Sequence, residues 1–152
     1  MNETNEPAAT AAGFSHADAL DTLARADAGE IKAFAEELLD AVGPVEVLAS
    51  RTGLVMLPYM DTVQNTAFHL GEVLVAEAHI RLSDFAVEGY GAVTGRDLEH
   101  AMAMAVIDAS LTADVRTDEI DTFLGKQQQR QRATDDMRLR KVEATRVRME
   151  TF

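Results

Sequence analysis

From Val73 to Leu82 the chain alternates with a period of two: Leu74, Ala76, Ala78, Ile80 and Leu82 fall on one side, and Val75, Glu77, His79 and Arg81 on the other. An extended strand separates residues this way, because its successive side chains point to opposite faces. One face suits a core and the other suits water, so the strand belongs to a sheet covered on a single side, as antiparallel sheets commonly are. The cover must come from segments with a helical period, and these lie on both sides of it.

Ahead of it, Ser15 can cap a helix in which Ala19, Leu20, Leu23 and Ala24 share a face. Asp27-Ala28-Gly29-Glu30 has capping-box spacing, with Glu30 reaching back to the Asp27 amide. The second helix carries Ile31, Phe34, Ala35, Leu38, Leu39 and Val42 as its stripe and stops at Gly43-Pro44. Strands then take over. Val45 to Ser50 reads as a strand, Arg51-Thr52-Gly53 as a turn, Leu54 to Asp61 as a second strand whose Pro58 marks an edge or a bulge, and Gln64-Asn65-Thr66 as another turn. The strand from Val73 follows, then a turn near Asp84 and a short strand from Tyr90 to Thr94.

Gly95-Arg96-Asp97 ends the sheet and Asp97 caps a helix with Leu98, Ala101, Met102, Ala105, Val106 and Ala109 as its buried stripe, widened by Met104 and Ile107. His16 and His100 are expected to serve as surface or capping residues, and Asp108, on the helix flank, to tolerate Asn. Thr117 is the expected cap of the last helical region. The predicted fold is α+β: an N-terminal helix pair, an antiparallel meander of about four strands, a helix packed on the sheet and a C-terminal helical tail. Residues 1–13 are expected to be a disordered lead, 14–125 a single α+β domain and 126–152 the tail.

Charge separates the last two. Up to Gly125 there are 22 acidic and 6 basic residues, whereas Lys126 to Phe152 carries 4 acidic and 8 basic, within a net charge of -12. An acidic body repels phosphodiester backbones, so no nucleic-acid partner is expected. The tail's large apolar residues make a poor stripe, so the tail is expected to dock on a partner through Met137, Val142, Arg146, Met149 and Phe152. Without Cys, disulfides and thiol chemistry are excluded. No apolar stretch approaches the roughly 20 residues of a membrane span, and the acidic start lacks the basic opening of a signal peptide; a cytoplasmic location is expected.

Residues with possible chemistry are few. Alternate strand positions place Glu77, His79 and Arg81 on one face, about 6 to 7 Å apart. That row could be a general acid-base site, or a solvated or subunit-facing surface held by cross-strand pairs. Arg96, beside Asp97 at a helix start, is a candidate anion or partner contact. No metal site is expected, since His69 and His79 lack second ligands at metal-binding spacing. No phosphate loop or nucleophile elbow occurs, and no catalytic residue is expected.

Four blocks carry a resemblance: Leu70-Gly71-Glu72-Val73-Leu74-Val75-Ala76-Glu77-Ala78-His79-Ile80-Arg81-Leu82, Gly89-Tyr90-Gly91, Gly95-Arg96-Asp97-Leu98-Glu99-His100-Ala101 and Val106-Ile107-Asp108-Ala109. In that order and spacing the chain resembles the PhnG family, the G subunit of the bacterial carbon-phosphorus lyase complex. Glu143-Ala144-Thr145-Arg146-Val147 and Met149 to Phe152 resemble the family's closing segment. The resemblance covers roughly residues 15 to 152.

It implies a subunit that joins the H, I and J subunits, with the L protein, in an assembly of two copies that transfers the ribose triphosphate part of MgATP to a phosphonate and releases adenine. MgATP is then a substrate of the complex, and no cofactor is expected on this chain alone. No residue role in chemistry is carried over. Two other readings stand beside it: a small independent enzyme using the Glu77, His79 and Arg81 face, and a stand-alone acidic protein-binding or regulatory module without catalysis.

Overall fold

The computed structural model describes residues 13–146 and contains α1 (His16–Ala24), α2 (Ala28–Val42), β1 (Val45–Asp61), β2 (Thr66–Leu82), β3 (Val87–Thr94), α3 (Leu98–Thr112) and α4 (Thr117–Ala144). The expected disordered lead, apart from Gly13, and the tail residues Met149 and Phe152 lie outside the described residues. The strands form one antiparallel sheet in the order β1-β2-β3. The architecture is α+β, as predicted, with the helices on one face of the sheet.

The described sheet has three strands where about four were expected. Arg51-Thr52-Gly53 does not turn; Arg51 pairs with Glu77, Thr52 with Ala76 and Gly53 with Val75, so β1 runs on. The continuous ladder keeps these backbone groups bonded, and an open site around Gly53 suits a strand as well as a turn. The reversal comes at 62–65, where Asp61 accepts from the amides of Val63 (2.9 Å) and Gln64 (3.3 Å) and Asn65 takes a left-handed φ of +52°. Pro58 lies where the β1–β2 register slips, on the sheet's edge strand.

On the helix side of β2, Ala76, Ala78, Ile80 and Leu82 are fully buried. Leu74, expected among them, is only half-buried, because β3 ends at Thr94, paired with Val75, and the sheet's cover runs out there. Beneath α3 the strand β3 carries Gly89 and Gly91, where the backbone of the helix lies directly on the sheet against Ala101 and Ala105. With the sheet below and α1 and α2 on its other side, α3 is buried almost all round. Its predicted stripe is therefore too narrow: Ala103 is buried, while Leu98 and Met102 are partly exposed.

The caps are mostly as read. The Ser15 hydroxyl accepts from the Asp18 amide, and the Asp27 carboxylate accepts from Gly29 and Glu30. The return half of the box is not made. The Asp27 amide instead donates to Gln127 Oε1 (3.2 Å), and Glu30 is held by Lys126, Gln127 and Arg130 of α4. Cationic donors bind a carboxylate more strongly than a lone amide does.

At the start of α4, Arg116 occupies the cap position in a left-handed conformation, and Thr117 is the first helical residue, its hydroxyl donating to Asp114. The helix crosses Gly125 and Lys126 without a break. It buries Ile120, Leu124 and Gln127 and donates from Gln131 to the Thr22 carbonyl (2.9 Å).

Candidate functional site

The outer face of the sheet, opposite α3, brings Glu77, His79 and Arg81 together as the alternation predicts, and adds residues from both neighbouring strands. Glu77 stands opposite Arg51, His79 opposite Tyr90, and Arg81 between Glu46 and Glu88. Glu77 accepts from Arg51 Nε and from the Tyr90 hydroxyl (2.9 Å). Glu88 accepts from Arg81 Nη2 (2.6 Å) and lies 2.8 Å from His79 Nε2. The His79 and Tyr90 rings meet edge to face at 6.3 Å.

These partners set the electrostatics. The Arg51 guanidinium, and then the Tyr90 hydroxyl, hold the Glu77 carboxyl below the usual carboxylate range. Arg81 first, then His79, do the same for Glu88. Tyr90 is pushed up by its partial burial and by the Glu77 hydrogen bond. Carboxylates held ionised by such donors are weak proton acceptors, and the row lies on a partly solvated strand face, where Arg51 and Glu77 line only a shallow depression with Gly53, Leu54, Val55 and Val75. The arrangement suits a surface that meets another polar surface.

Arg96 is exposed in the loop ahead of α3, and no ion pair of its side chain occurs among the described residues. Its neighbour Asp97 fills the helix N-terminus itself: one oxygen accepts from the His100 amide (2.9 Å) and the other from Lys32 Nζ (2.9 Å). Those two donors, the amide first, hold the Asp97 carboxyl below its ordinary value. An anion at Arg96 would therefore meet the guanidinium and not a vacant ring of helix amides.

Two histidines depart from the surface or capping roles expected of them. His100 is buried, with Nε2 2.9 Å from the Leu23 carbonyl oxygen. His16 Nε2 lies 2.6 Å from Asp108 Oδ1, and the other oxygen of Asp108 accepts from the Tyr90 amide (2.9 Å). Asp108 is thus a buried carboxylate joining α1, β3 and α3, and not a flank residue indifferent to Asn. Its position between Ile107 and Ala109 on a helix buried all round was the available signal.

The sequence reading also missed the outer half of the β1–β2 ribbon. Beyond the body, residues 53–61 pair only with 66–75, and Leu54 (64%), Met56 (56%) and Tyr59 (52%) remain exposed. The unbroken apolar run Leu54-Val55-Met56-Leu57-Pro58-Tyr59-Met60 could have revealed it, since a strand apolar on both faces is normally covered on both.

In the tail, Met137, Leu139, Val142 and Arg146 are exposed. No group of metal-binding side chains occurs among the described residues, and no described helix is long and apolar enough to cross a membrane.

Comparison with known proteins adds two findings. A family model described as phosphonate metabolism protein PhnG matches residues 15–152. The chain is also similar to the alpha-D-ribose 1-methylphosphonate 5-triphosphate synthase subunit PhnG of Rhizobium meliloti (strain 1021), with 30% identity over 125 residues, covering 82% of this chain and 80% of that protein.

Proposed function

The chain belongs to the PhnG family of phosphonate metabolism proteins, and from that premise we propose that it is an assembly subunit of a carbon-phosphorus lyase complex. Together with H, I and J subunits and the L protein, it serves the step in which a phosphonate oxygen attacks the ribose anomeric carbon of MgATP. Adenine leaves with the bonding electrons, and a ribose 1-phosphonate 5-triphosphate forms. MgATP is a substrate of the complex, and the chain works in the cytoplasm, as two copies within a symmetric assembly. Such a displacement depends on positioning and charge stabilisation, which a subunit can support by shaping a site that another chain supplies.

One observation favours a supporting role over a reacting one: Glu77 and Glu88, the carboxylates nearest His79 on the outer face, are engaged in hydrogen-bonded ion pairs. That face and the exposed tail residues Met137, Val142 and Arg146 suit contact with other subunits. Arg96 is assigned to a substrate phosphate or a partner carboxylate. Arg96→Lys keeps the charge and loses the bidentate fork. Loss of adenine release with assembly intact would identify phosphate, and loss of assembly would identify a subunit contact.

The test of the whole reading is reconstitution. The chain alone should release no adenine from MgATP and phosphonate, the remaining subunits without it should lose assembly or activity, and adding it back should restore both. Unchanged composition and adenine release without the chain would overturn it.

A further inference from the structure

We infer that the outer ribbon, residues 53–61 of β1 with 66–74 of β2, is an insertion arm that a different chain of the assembly encloses on both faces. The inference rests on the subunit reading above and specifies the contact.

The first ground is the pattern of the arm. Leu54 and Met56 share the parity of the helix side, whereas Val55 and Leu57 share that of the outer face, and all of them are exposed. A ribbon solvated on one face would alternate apolar with polar; apolar residues at both parities are the mark of a strand covered on both sides. The edges agree. Among the described residues β1 has a free edge along its whole length, and β2 has one below Leu74, whose carbonyl accepts from the Gly95 amide where pairing with β3 ends. A bare two-stranded ribbon is marginal in water, and open edges beside apolar side chains invite pairing with another chain.

Area decides between lying on a surface and being enclosed. Nine residues per strand give an arm about 30 Å long and about 10 Å wide, or about 300 Å² per face. Covering one face would bury about 600 Å² counted on both partners, which is the size of an incidental contact. Covering both would reach about 1,200 Å², the lower end of specific interfaces.

Charge decides the occupant. Between Gly53 and Leu74 the formal charges are Asp61 and Glu72, with no Lys or Arg, and the whole chain carries -12. The body of a second copy, with 22 acidic and 6 basic residues up to Gly125, would set acid against acid. A different chain, with an apolar slot rimmed by basic residues, complements the arm.

The experiment mixes the chain with the other subunits of the complex, using wild type, Val55→Lys for the outer face and Leu54→Lys for the helix side. Both positions are exposed in the free chain, so its melting temperature should not move. Each variant should bind at least tenfold more weakly, and backbone amides of 54–60 should gain hydrogen-exchange protection only in the assembly. Wild-type affinity in both variants, or exchange unchanged on assembly, would overturn the inference. Weakening by only one variant would mean an arm that lies on a surface and is not enclosed. A dimer of the chain alone that either substitution dissociates would assign the arm to a second copy instead. If wild type binds none of the other subunits, the subunit reading itself falls, a result separate from any difference among variants.

Discussion

Gly91 and Ala101 approach so closely that a Cβ built on Gly91 would lie 2.1 Å from the Ala101 carbonyl oxygen. Gly89 stands the same way against Ala105, at 2.2 Å. Because backbone, not the end of a flexible side chain, meets the added methyl, Gly91→Ala must lift α3 from the sheet. Overpacking costs about 1 to 3 kcal/mol, and the upper end is expected here. Gly53→Ala, with nothing within 4 Å of the new atom, should change stability by less than about 0.5 kcal/mol. Urea unfolding compares the two, and a Gly91→Ala protein as stable as wild type would contradict the seating of α3 on β3.

Asp108 is 4% exposed and holds the outward amide of Tyr90 together with His16. Asp108→Ala leaves that part-buried amide without its acceptor, at a cost of about 1 to 3 kcal/mol. Asn retains one oxygen for Tyr90 and loses the charge facing His16, so a smaller loss of about 1 kcal/mol is expected. Thermal melts of both variants and of His16→Ala separate the contributions. Equal melting of Asp108→Ala and wild type would show that the β3 edge does not depend on this carboxylate.

Local chemistry explains which parts were legible in the sequence. The caps at Ser15, Asp27 and Asp97 and the core face of β2 from Ala76 to Leu82 follow from spacing alone, and the structure has them. Arg51-Thr52-Gly53 misled because Gly and small polar residues mark turns in isolation, whereas its pairing with residues 75–77 is decided by a strand more than twenty positions away. The roles of Asp108 and Glu30 depended on α1 and α4 arriving from distant sequence. On the outer face, alternation predicted that Glu77, His79 and Arg81 share a side; that Arg51, Tyr90 and Glu88 meet them needed the register.

The Asp97 cap makes a pH-dependent prediction. Its folded pKa is depressed below the ordinary 3.8, so its contribution is present above that value and is lost as pH falls through the lower folded value. Asn also caps helices well, so Asp97→Asn removes the charge while keeping the cap. With Lys32 and Asp97 side chains 30% and 39% exposed, solvent limits the difference to about 0.5 to 1 kcal/mol at neutral pH. Wild type should therefore be the more stable protein at pH 6, and the gap should narrow as the pH falls below 3.8. A gap that stays constant across urea titrations from pH 6 to 3 would contradict the linkage.

Side-chain contacts of α4 set the boundary between body and tail. A charge map puts it after Gly125, but Gln127 is only 1% exposed, its amide bridging the Asp27 backbone N–H and Glu30, and Gln131 holds the Thr22 carbonyl. Truncation after Gly125 removes all of these partners and leaves the start of α2 without its acceptor. A loss of about 2 to 4 kcal/mol is expected from two or more unmade part-buried hydrogen bonds. Truncation after Arg132 keeps them and removes exposed helix, including Met137, Leu139 and Val142. Apart from the exposed Arg25–Asp135 pair at 4.0 Å, the shorter deletion breaks no hydrogen bond or ion pair with the body among the described residues, so stability should change by less than about 1 kcal/mol. Assembly with the other subunits should nevertheless weaken if the tail docks on them. Equal destabilisation by the two truncations would move the end of the body past Arg132, whereas wild-type assembly after the Arg132 truncation would remove the tail from the subunit contacts.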